Sequence, residues 1–494
     1  MTRIDGPAPI LVGGQWEAAR SRVTREIRNP ASGELVGVAA DCGAEDVDRA
    51  VRAARQAQPA WGTLPGLEKA ILLRRVGEAI RHQGRGLATL MARETGKPLI
   101  ESMDCVEWVA ACFEYYAEVG RRSRGNSIPP VAPHQLNFTI KEPYGVVAAI
   151  APFNFPLLLM AWKVAPALAA GNTVVCKPPH QNPLSNLMMA RAYELLPPGV
   201  VNMVTGDGPG AGEALIQHPD VDLIAFTGST EVGRHVAAEA GRQLKKVNLE
   251  LGGIDPFIVF ADADLEVAVK AVAWARLLNA GQVCTSSKRI YLVKEIAAEF
   301  TDRLVEYVKT LVVGDPLQGD TDVGPLITAE ALQKVEAQVG KALAEGARLL
   351  LGGQRLAGPG HFYAPTILAG VRHGSLPTTE EIFGPVISLI VAEDAEDAIR
   401  MANDSKYGLG AIVYTRSLEL ALRAMDRIKA GTFWVNDPLT DNDAGPFGGM
   451  RWSGMGRELG EEGLDAFREP KHVHIDYLQE VKSFWFPNKN RKVT

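Results

Sequence analysis

Gly145-Val-Val-Ala-Ala-Ile150 is a nearly unbroken apolar run that ends in Ala151-Pro-Phe-Asn154-Phe-Pro156, where Pro and Asn interrupt it before a helical pattern begins. A short run that is apolar on both faces marks a strand inside a parallel sheet. The chain then repeats the alternation. Helix 156–170 leads to strand Thr173–Lys177, helix 184–196 to strand Val200–Thr205, and helix 210–217 to strand Leu223–Thr227; helix 230–242 precedes strand Val247–Leu251. Buried strands separated by helices predict an α/β domain with a doubly wound parallel sheet.

A second α/β region runs downstream from Asp255 to about Gly460. Its strands are Pro256–Phe260, Arg289–Val293, Val386–Val391, Ala411–Tyr414 and Thr432–Val435, and the glycine-rich segment 445–460 reads as an extended, irregular loop. The tail Lys471–Gln479 alternates and reads as a further strand. Upstream, residues 44–60 and 67–95 have helical periodicity, and another helical stretch ends near Arg121. The Pro-, Ser- and Arg-rich segment Arg122–Pro143 departs from the domain, with a short alternating run, Asn137-Phe-Thr-Ile140, inside it. Internal repeats and sharp linkers are absent.

With 494 residues, 46% hydrophobic and 22% charged, the chain has an ordinary globular composition and a length that suits one large domain or two to three ordinary ones. A net charge of −6 disfavours charge-driven nucleic-acid binding. The five cysteines Cys42, Cys105, Cys112, Cys176 and Cys284 contain no Cys-x-x-Cys pair, and the histidines contain no His-Glu-x-x-His. Neither a disulfide framework nor a metal site is expected, and a reducing cytoplasm fits. The start Met-Thr-Arg-Ile-Asp-Gly-Pro has no apolar core, so it does not read as a signal peptide. The longest apolar candidate for a membrane span, Pro156 to Gly171, is broken by Lys163 and Pro166 and reads as a buried helix.

Standard phosphate-loop and nucleophile-elbow motifs are missing. Three residues stand out instead. Cys284 lies in Asn279-Ala-Gly281-Gln-Val-Cys284-Thr-Ser, where glycine and small polar neighbours suit a turn that presents a thiol; an inert buried cysteine is the commoner case. Glu250 interrupts an apolar strand just before Gly252-Gly253, as a desolvated base would, or as one half of an ion pair would. Asn154 sits at a strand-to-helix junction, where it could donate to an oxyanion or cap the helix.

These segments fall in a fixed order. Ala151-Pro-Phe-Asn154-Phe-Pro, Cys176-Lys177-Pro178, Phe226-Thr-Gly-Ser229-Thr-Glu-Val-Gly233, Leu249-Glu250-Leu-Gly-Gly253, Gly281-Gln-Val-Cys284, Glu381-Ile-Phe383-Gly-Pro385 and Pro446-Phe-Gly-Gly449 together resemble the NAD(P)-dependent aldehyde dehydrogenase superfamily. The resemblance spans residues 10 to 480. It implies a Rossmann-like cofactor domain (1–121 and 144–252), an α/β catalytic domain (253–463) and a β oligomerisation arm (122–143 and 464–494). It also implies self-association as a dimer or tetramer, with no nucleic-acid or membrane partner.

The resemblance implies roles residue by residue. Cys284 attacks an aldehyde, Asn154 and the Cys284 N–H hold the oxyanion, and Glu250 activates the water that hydrolyses the thioester. Glu458 relays that proton and Lys163 supports the same network. The NAD or NADP site takes Lys177 and His180 at the adenosine ribose, with Gly208 and Gly212 beside it. Ile150, Ala151, Pro152, Phe153, Phe226, Thr227, Gly228, Ser229, Val232, Leu251 and Gly252 form its walls, and Glu381 and Phe383 its nicotinamide end. Trp162, Val283, Thr285, Asn436, Asp441 and Phe447 are implied at the substrate.

Two positions depart from the family pattern. His180 stands where many members carry Glu after Lys-Pro-x, and Ile254 where many carry Lys after Gly-Gly. Loss of the Glu predicts unusual tolerance of NADP, growing as His180 gains charge at falling pH. The acidic segment 436–447, with three Asp and no Lys or Arg, predicts a preference for cationic or hydroxylated aldehydes. The competing readings are a CoA-acylating enzyme, which would lack the water-activating Glu, and a catalytically inactive homologue.

Overall fold

The structure is a computed structural model and describes residues 7–122, 125–482 and 484–488. The N-terminal residues 1–6, positions 123–124 of the departing segment, and 483 and 489–494 of the tail lie outside the described residues.

Two large sheets organise the chain. The first runs Gly454–Met455, Lys246–Glu250, Leu223–Thr227, Val146–Ile150, Thr173–Lys177, Val201–Met203, Ile10–Val12, Gln15–Glu17. Its five central strands are mutually parallel, and the outer ones join antiparallel. The central strands Val146–Ile150, Thr173–Lys177 and Leu223–Thr227 are buried at every position, which is why they read as continuous apolar runs. The second sheet runs Arg348–Leu351, Thr366–Ala369, Val386–Ala392, Ser287–Val293, Asp255–Val259, Gly410–Tyr414, Thr432–Val435, antiparallel only at its first pair. A smaller antiparallel sheet pairs Arg468–Asp476 with Gln135–Pro143, and that strand with Ser127–Ile128.

Several expectations need correcting. The helical region 67–95 is two helices, Gly66–His82 and Gly84–Thr95, divided at Gln83. The segment 184–196 begins as the α-helix Leu184–Met189 and tightens into a 3₁₀ stretch, Ala190–Leu195. The N-terminal strands between residues 10 and 40 are too short, and too mixed in pattern, to be announced by periodicity.

The largest correction concerns 445–460. That segment is not simply an irregular loop of the second region. Gly454 pairs with Glu250 and Met455 with Leu249, so the chain returns to the edge of the first sheet. Phe447, Leu459, Leu464 and Phe467 pack in the first core rather than the second. The return to the first core thus begins ahead of residue 463. Two paired residues leave no periodic trace in a sequence, so the crossing is visible only in three dimensions.

Candidate active site

Parallel α/β sheets gather function at the carboxyl ends of their strands, and the first sheet does so here. Ile150, Lys177, Thr227 and Glu250 are each the last residue of a central strand. The segments that follow them wall a long cleft, which contains Ala151, Pro152, Phe153, Asn154, His180, Gly208, Phe226, Gly228, Ser229, Val232, Leu251, Gly252, Glu381 and Phe383 as well as those four. Gly212 stands behind the wall, where an added Cβ would lie 3.5 Å from Lys177 Cε.

Ser229 caps helix Thr230–Arg242, its Oγ accepting from Val232 N–H at 3.3 Å. The cleft therefore faces the positive end of a helix, a ready site for a pyrophosphate. Lys177 Nζ donates to the carbonyls of Gly206 and Pro178 at 2.9 and 3.0 Å. An ammonium has three donors, so one is left for a ribose hydroxyl. Burial lowers Lys177 to about 8. At the far end Phe153 and Phe383 meet edge to face, with ring centroids 5.9 Å apart. Beside them Gln338 donates to the Glu381 carbonyl at 3.2 Å, while its own buried Oε1 has no partner. A helix N-terminus, a spare ammonium donor and an orphaned amide oxygen along one wall fit a dinucleotide.

The Cys284 segment reaches the same cleft from the second sheet. After helix Leu265–Leu277 the backbone turns through left-handed Asn279, Ala280 and Gly281. Only glycine fits at 281, because a Cβ there would lie 2.2 Å from the Gly384 carbonyl oxygen. The buried Arg276 guanidinium fastens this turn to the Glu381–Phe383 segment by donating to the carbonyls of Gly281, Ile382 and Val386. Lys288, also buried, donates to the carbonyls of Val283 and Cys284 and pairs with Glu381 Oε1 at 3.1 Å. Neither Arg276 nor Lys288 stands out in the sequence, where both read as ordinary cations.

Asn154 is buried, and its carbonyl accepts from Asn279 Nδ2 at 3.1 Å. It does not cap the next helix, Leu158–Ala170, whose N-cap is Leu157. Glu250 is 2% exposed, and its oxygens meet no donor besides the neighbouring Cys284 thiol among the described residues. Burial pushes it well above the usual carboxylate range. Glu458 adds to that, and Lys163 and the Cys284 thiol oppose it. Burial, then the Glu250 charge, likewise raise Cys284 well above an ordinary thiol. Behind Glu250, Lys163 Nζ lies 2.6 Å from both Glu458 Oε1 and Thr227 Oγ1 in full burial. The Ser453 hydroxyl donates to the Gly252 carbonyl at 2.9 Å and fixes the end of the Glu250 strand.

On the other side of Cys284 opens a second cavity, lined by Trp162, Val283, Thr285, Asp441 and Phe447 among others. Asn436 is not part of it. Its side chain bridges the main chain of Thr415, accepting at 3.0 Å and donating at 2.8 Å. Glu101, Asp104, Trp108 and Trp274 line the cavity although the sequence singled none of them out.

The description Aldehyde dehydrogenase family matches residues 16–473. The chain belongs to the aldehyde dehydrogenase family. The mitochondrial aldehyde dehydrogenase of Sus scrofa is 40% identical over 95% of this chain and 92% of that protein. Succinate-semialdehyde dehydrogenase [NADP(+)] GabD of Escherichia coli is 38% identical over 94% and 97%. The betaine aldehyde dehydrogenase of Staphylococcus aureus, solved in complex with NAD+, superposes with a TM-score of 0.94 at 34% identity, covering 97% of each chain. The protein is thus an NAD(P)-dependent oxidoreductase that converts aldehydes to acids. Among the described residues no helix is long and apolar enough to cross a membrane.

Proposed function

We propose that this aldehyde dehydrogenase works through a covalent cysteine intermediate that water releases. The observation that carries the reading is the position of Cys284, the single described residue common to the cofactor cleft and the second cavity. A thiol there reaches an aldehyde from one side and leaves the cleft open on the other.

Cys284 Sγ forms a bond to the carbonyl carbon, and its proton passes to the Glu250 carboxylate. Charge moves to the aldehyde oxygen, where the Asn154 amide and the Cys284 N–H hold it. A dinucleotide held in the cleft would supply the hydride acceptor, which leaves a thioester on Cys284. Lys177, the N-terminus at Thr230, and Glu381 hold the dinucleotide in place. Glu250 first passes the thiol's proton on by way of Glu458, and in its ionised form again takes a proton from water as the water oxygen attacks the thioester. The C–S bond breaks, the acid leaves, and Cys284 regains a proton. A carboxylate with raised basicity suits that step near neutral pH. Glu458, paired with Lys163, stands behind Glu250 to carry the proton onward. A buried Glu250 beside the thiol, with no ion pair of its own among the described residues, favours this hydrolytic course over transfer to CoA.

The finer assignments belong to the same reading. The cofactor unit comprises 1–121 and 144–252 with the returning segment from Phe447, and the catalytic unit the region between. The arm built on Gln135–Pro143 and Arg468–Asp476 exposes Leu136, Ile140, Ile475 and Tyr477, an apolar surface suited to a second subunit in a dimer or tetramer. Five free cysteines fit the reducing cytoplasm. Mass spectrometry of an acyl adduct on Cys284, alongside NAD(P)H release, tests the reading. Turnover with no adduct under quenched conditions would overturn it.

A further inference from the structure

The cavity beyond Cys284 has an unusual lining. Five aromatic rings face it: Trp108, Trp162, Trp274, Phe155 and Phe447. Trp162 and Phe447 pack at 5.0 Å between centroids in its depth, while Trp108 and Trp274 are 40% and 51% exposed at its mouth. Three carboxyl groups join the rings: Glu101, Asp104 and Asp441. Among the described residues, no Lys, Arg or His lines it.

The three acids differ in what already balances them. Glu101 is buried, accepts the Asn279 N–H at 3.0 Å, and lies in the field of Lys97. Lys97 does not enter the cavity. Its Nζ sits 3.1 Å from the centre of the Phe155 ring, outside the lining. Asp104 and Asp441 have neither an ion pair nor a side-chain hydrogen bond among the described residues; burial and then the neighbouring Asp443 push Asp441 up to about 7, and a cation beside it would draw it into its charged form. Two unpaired carboxylates beside aromatic faces attract an organic cation twice over, by charge and by ring quadrupole. A carboxylate-bearing substrate finds no counter-charge and meets repulsion.

We propose that this cavity selects aldehydes carrying an ammonium group, quaternary or protonated, with the cation among the tryptophan rings and near Asp441 and Asp104 and the carbonyl at Cys284. The proposal rests on the reading of Cys284 as nucleophile and of this cavity as the aldehyde's path. It goes beyond the sequence expectation, because Asp104, Trp108 and Trp274 come from helices Leu99–Arg122 and Leu265–Leu277, remote from segment 436–447.

The test compares three aldehydes of matched length. They are 4-(trimethylammonio)butanal, its uncharged isostere 5,5-dimethylhexanal, and the anion 5-oxopentanoate. The cation is expected to exceed the isostere in kcat/KM by about tenfold or more, and the anion to fall below the isostere. In Asp104→Asn/Asp441→Asn the cation-to-isostere ratio, read within that variant, should fall by about tenfold, and Asp104→Glu/Asp441→Glu should keep most of it. Equal rates for cation and isostere, a best rate for the anion, or a ratio unmoved in the Asn variant would overturn the proposal while leaving the oxidation itself intact. No NAD(P)H from any of the three, with no adduct on Cys284, would overturn the underlying reading as well.

Discussion

The cofactor cleft and the aldehyde cavity meet at Cys284 but are made in different ways. The cleft is built from strand ends and the turns that follow them. Its parts, such as Phe226–Val232 and Glu250–Gly252, are short continuous segments in which backbone direction does most of the positioning. Gly252 shows the tolerance: a Cβ there would lie 2.6 Å from Glu381 Oε2. The cavity is made of single side chains from Leu99–Arg122, Leu158–Ala170, Leu265–Leu277 and the segment 438–447. A common ligand constrains the first to motifs. The second can change one side chain at a time, which is how a shared chemistry serves different aldehydes.

Cys284 is where the two regions join, so removing its thiol breaks both at once. Cys284→Ser should lower turnover by about 10⁴-fold or more, because a hydroxyl is a far weaker nucleophile near neutral pH. Dinucleotide binding, followed by fluorescence titration, should persist. Lost dinucleotide binding would mean that the cleft depends on the cavity wall.

A second test addresses the helix that serves both regions. Trp162 faces the cavity while its neighbour Lys163 faces the ends of the first sheet. Lys163→Met removes one partner of a pair in which both groups are no more than 1% exposed. An uncompensated buried Glu458 should cost about 3–5 kcal/mol of stability. Denaturant unfolding at neutral pH measures it, and a loss below about 1 kcal/mol would mean that Glu458 relaxes by taking up a proton.

That division also explains how much could be read in advance. The parallel sheets were legible because their strands are apolar on both faces, as at Val146–Ile150. Cys284, Glu250 and Asn154 were legible as candidates because each breaks its local pattern. Trp108 and Trp274 were not, since an aromatic on an amphipathic helix looks the same whether it faces a core or a cavity. Lys288 and Arg276 were hidden for another reason: their function is to hold backbone carbonyls, and any cation in a strand or helix could be doing so. The bonds of Asn436 to Thr415 were not legible either, because a turn asparagine that bridges its own neighbourhood resembles one aimed at a ligand.

Glu250 lies on the cleft side of the join, and its raised basicity predicts a pH signature. A base must be deprotonated to act. Because burial raises Glu250, hydrolysis should decline as pH falls through that raised value, well above where an ordinary carboxylate titrates. In Glu250→Gln a burst of NADH should be followed by turnover slowed by about 10²-fold, and this acid limb should vanish from kcat. Rapid-mixing absorbance at several pH values reads both. A steady-state rate near wild type would assign the water to another base.

The smallest effect is expected at the adenosine end of the cleft, where His180 replaces a common Glu. The sequence alone predicts that NADP use grows as His180 gains charge between pH 8 and 6. The structure moves that expectation. Burial lowers His180 below its ordinary 6.5, and the Lys177 and Arg25 charges lower it further, against weaker opposition from Asp207 and Asp41. A lowered value means that His180 stays neutral until the solution is more acidic. The NADP/NAD ratio of kcat/KM should therefore stay flat from pH 8 to 6.5, where an ordinary histidine would already be about half charged. Tolerance of NADP near neutrality would then come from the absence of a negative charge rather than the presence of a positive one. His180→Glu restores that charge beside the ribose and should lower the ratio by about tenfold at pH 7.5, while His180→Gln should leave it nearly unchanged. Steady-state kinetics with both cofactors measures each ratio. If Gln lowers the ratio as far as Glu does, a charged imidazole is what holds the 2′-phosphate, and the burial of His180 does not keep it neutral once the cofactor is bound.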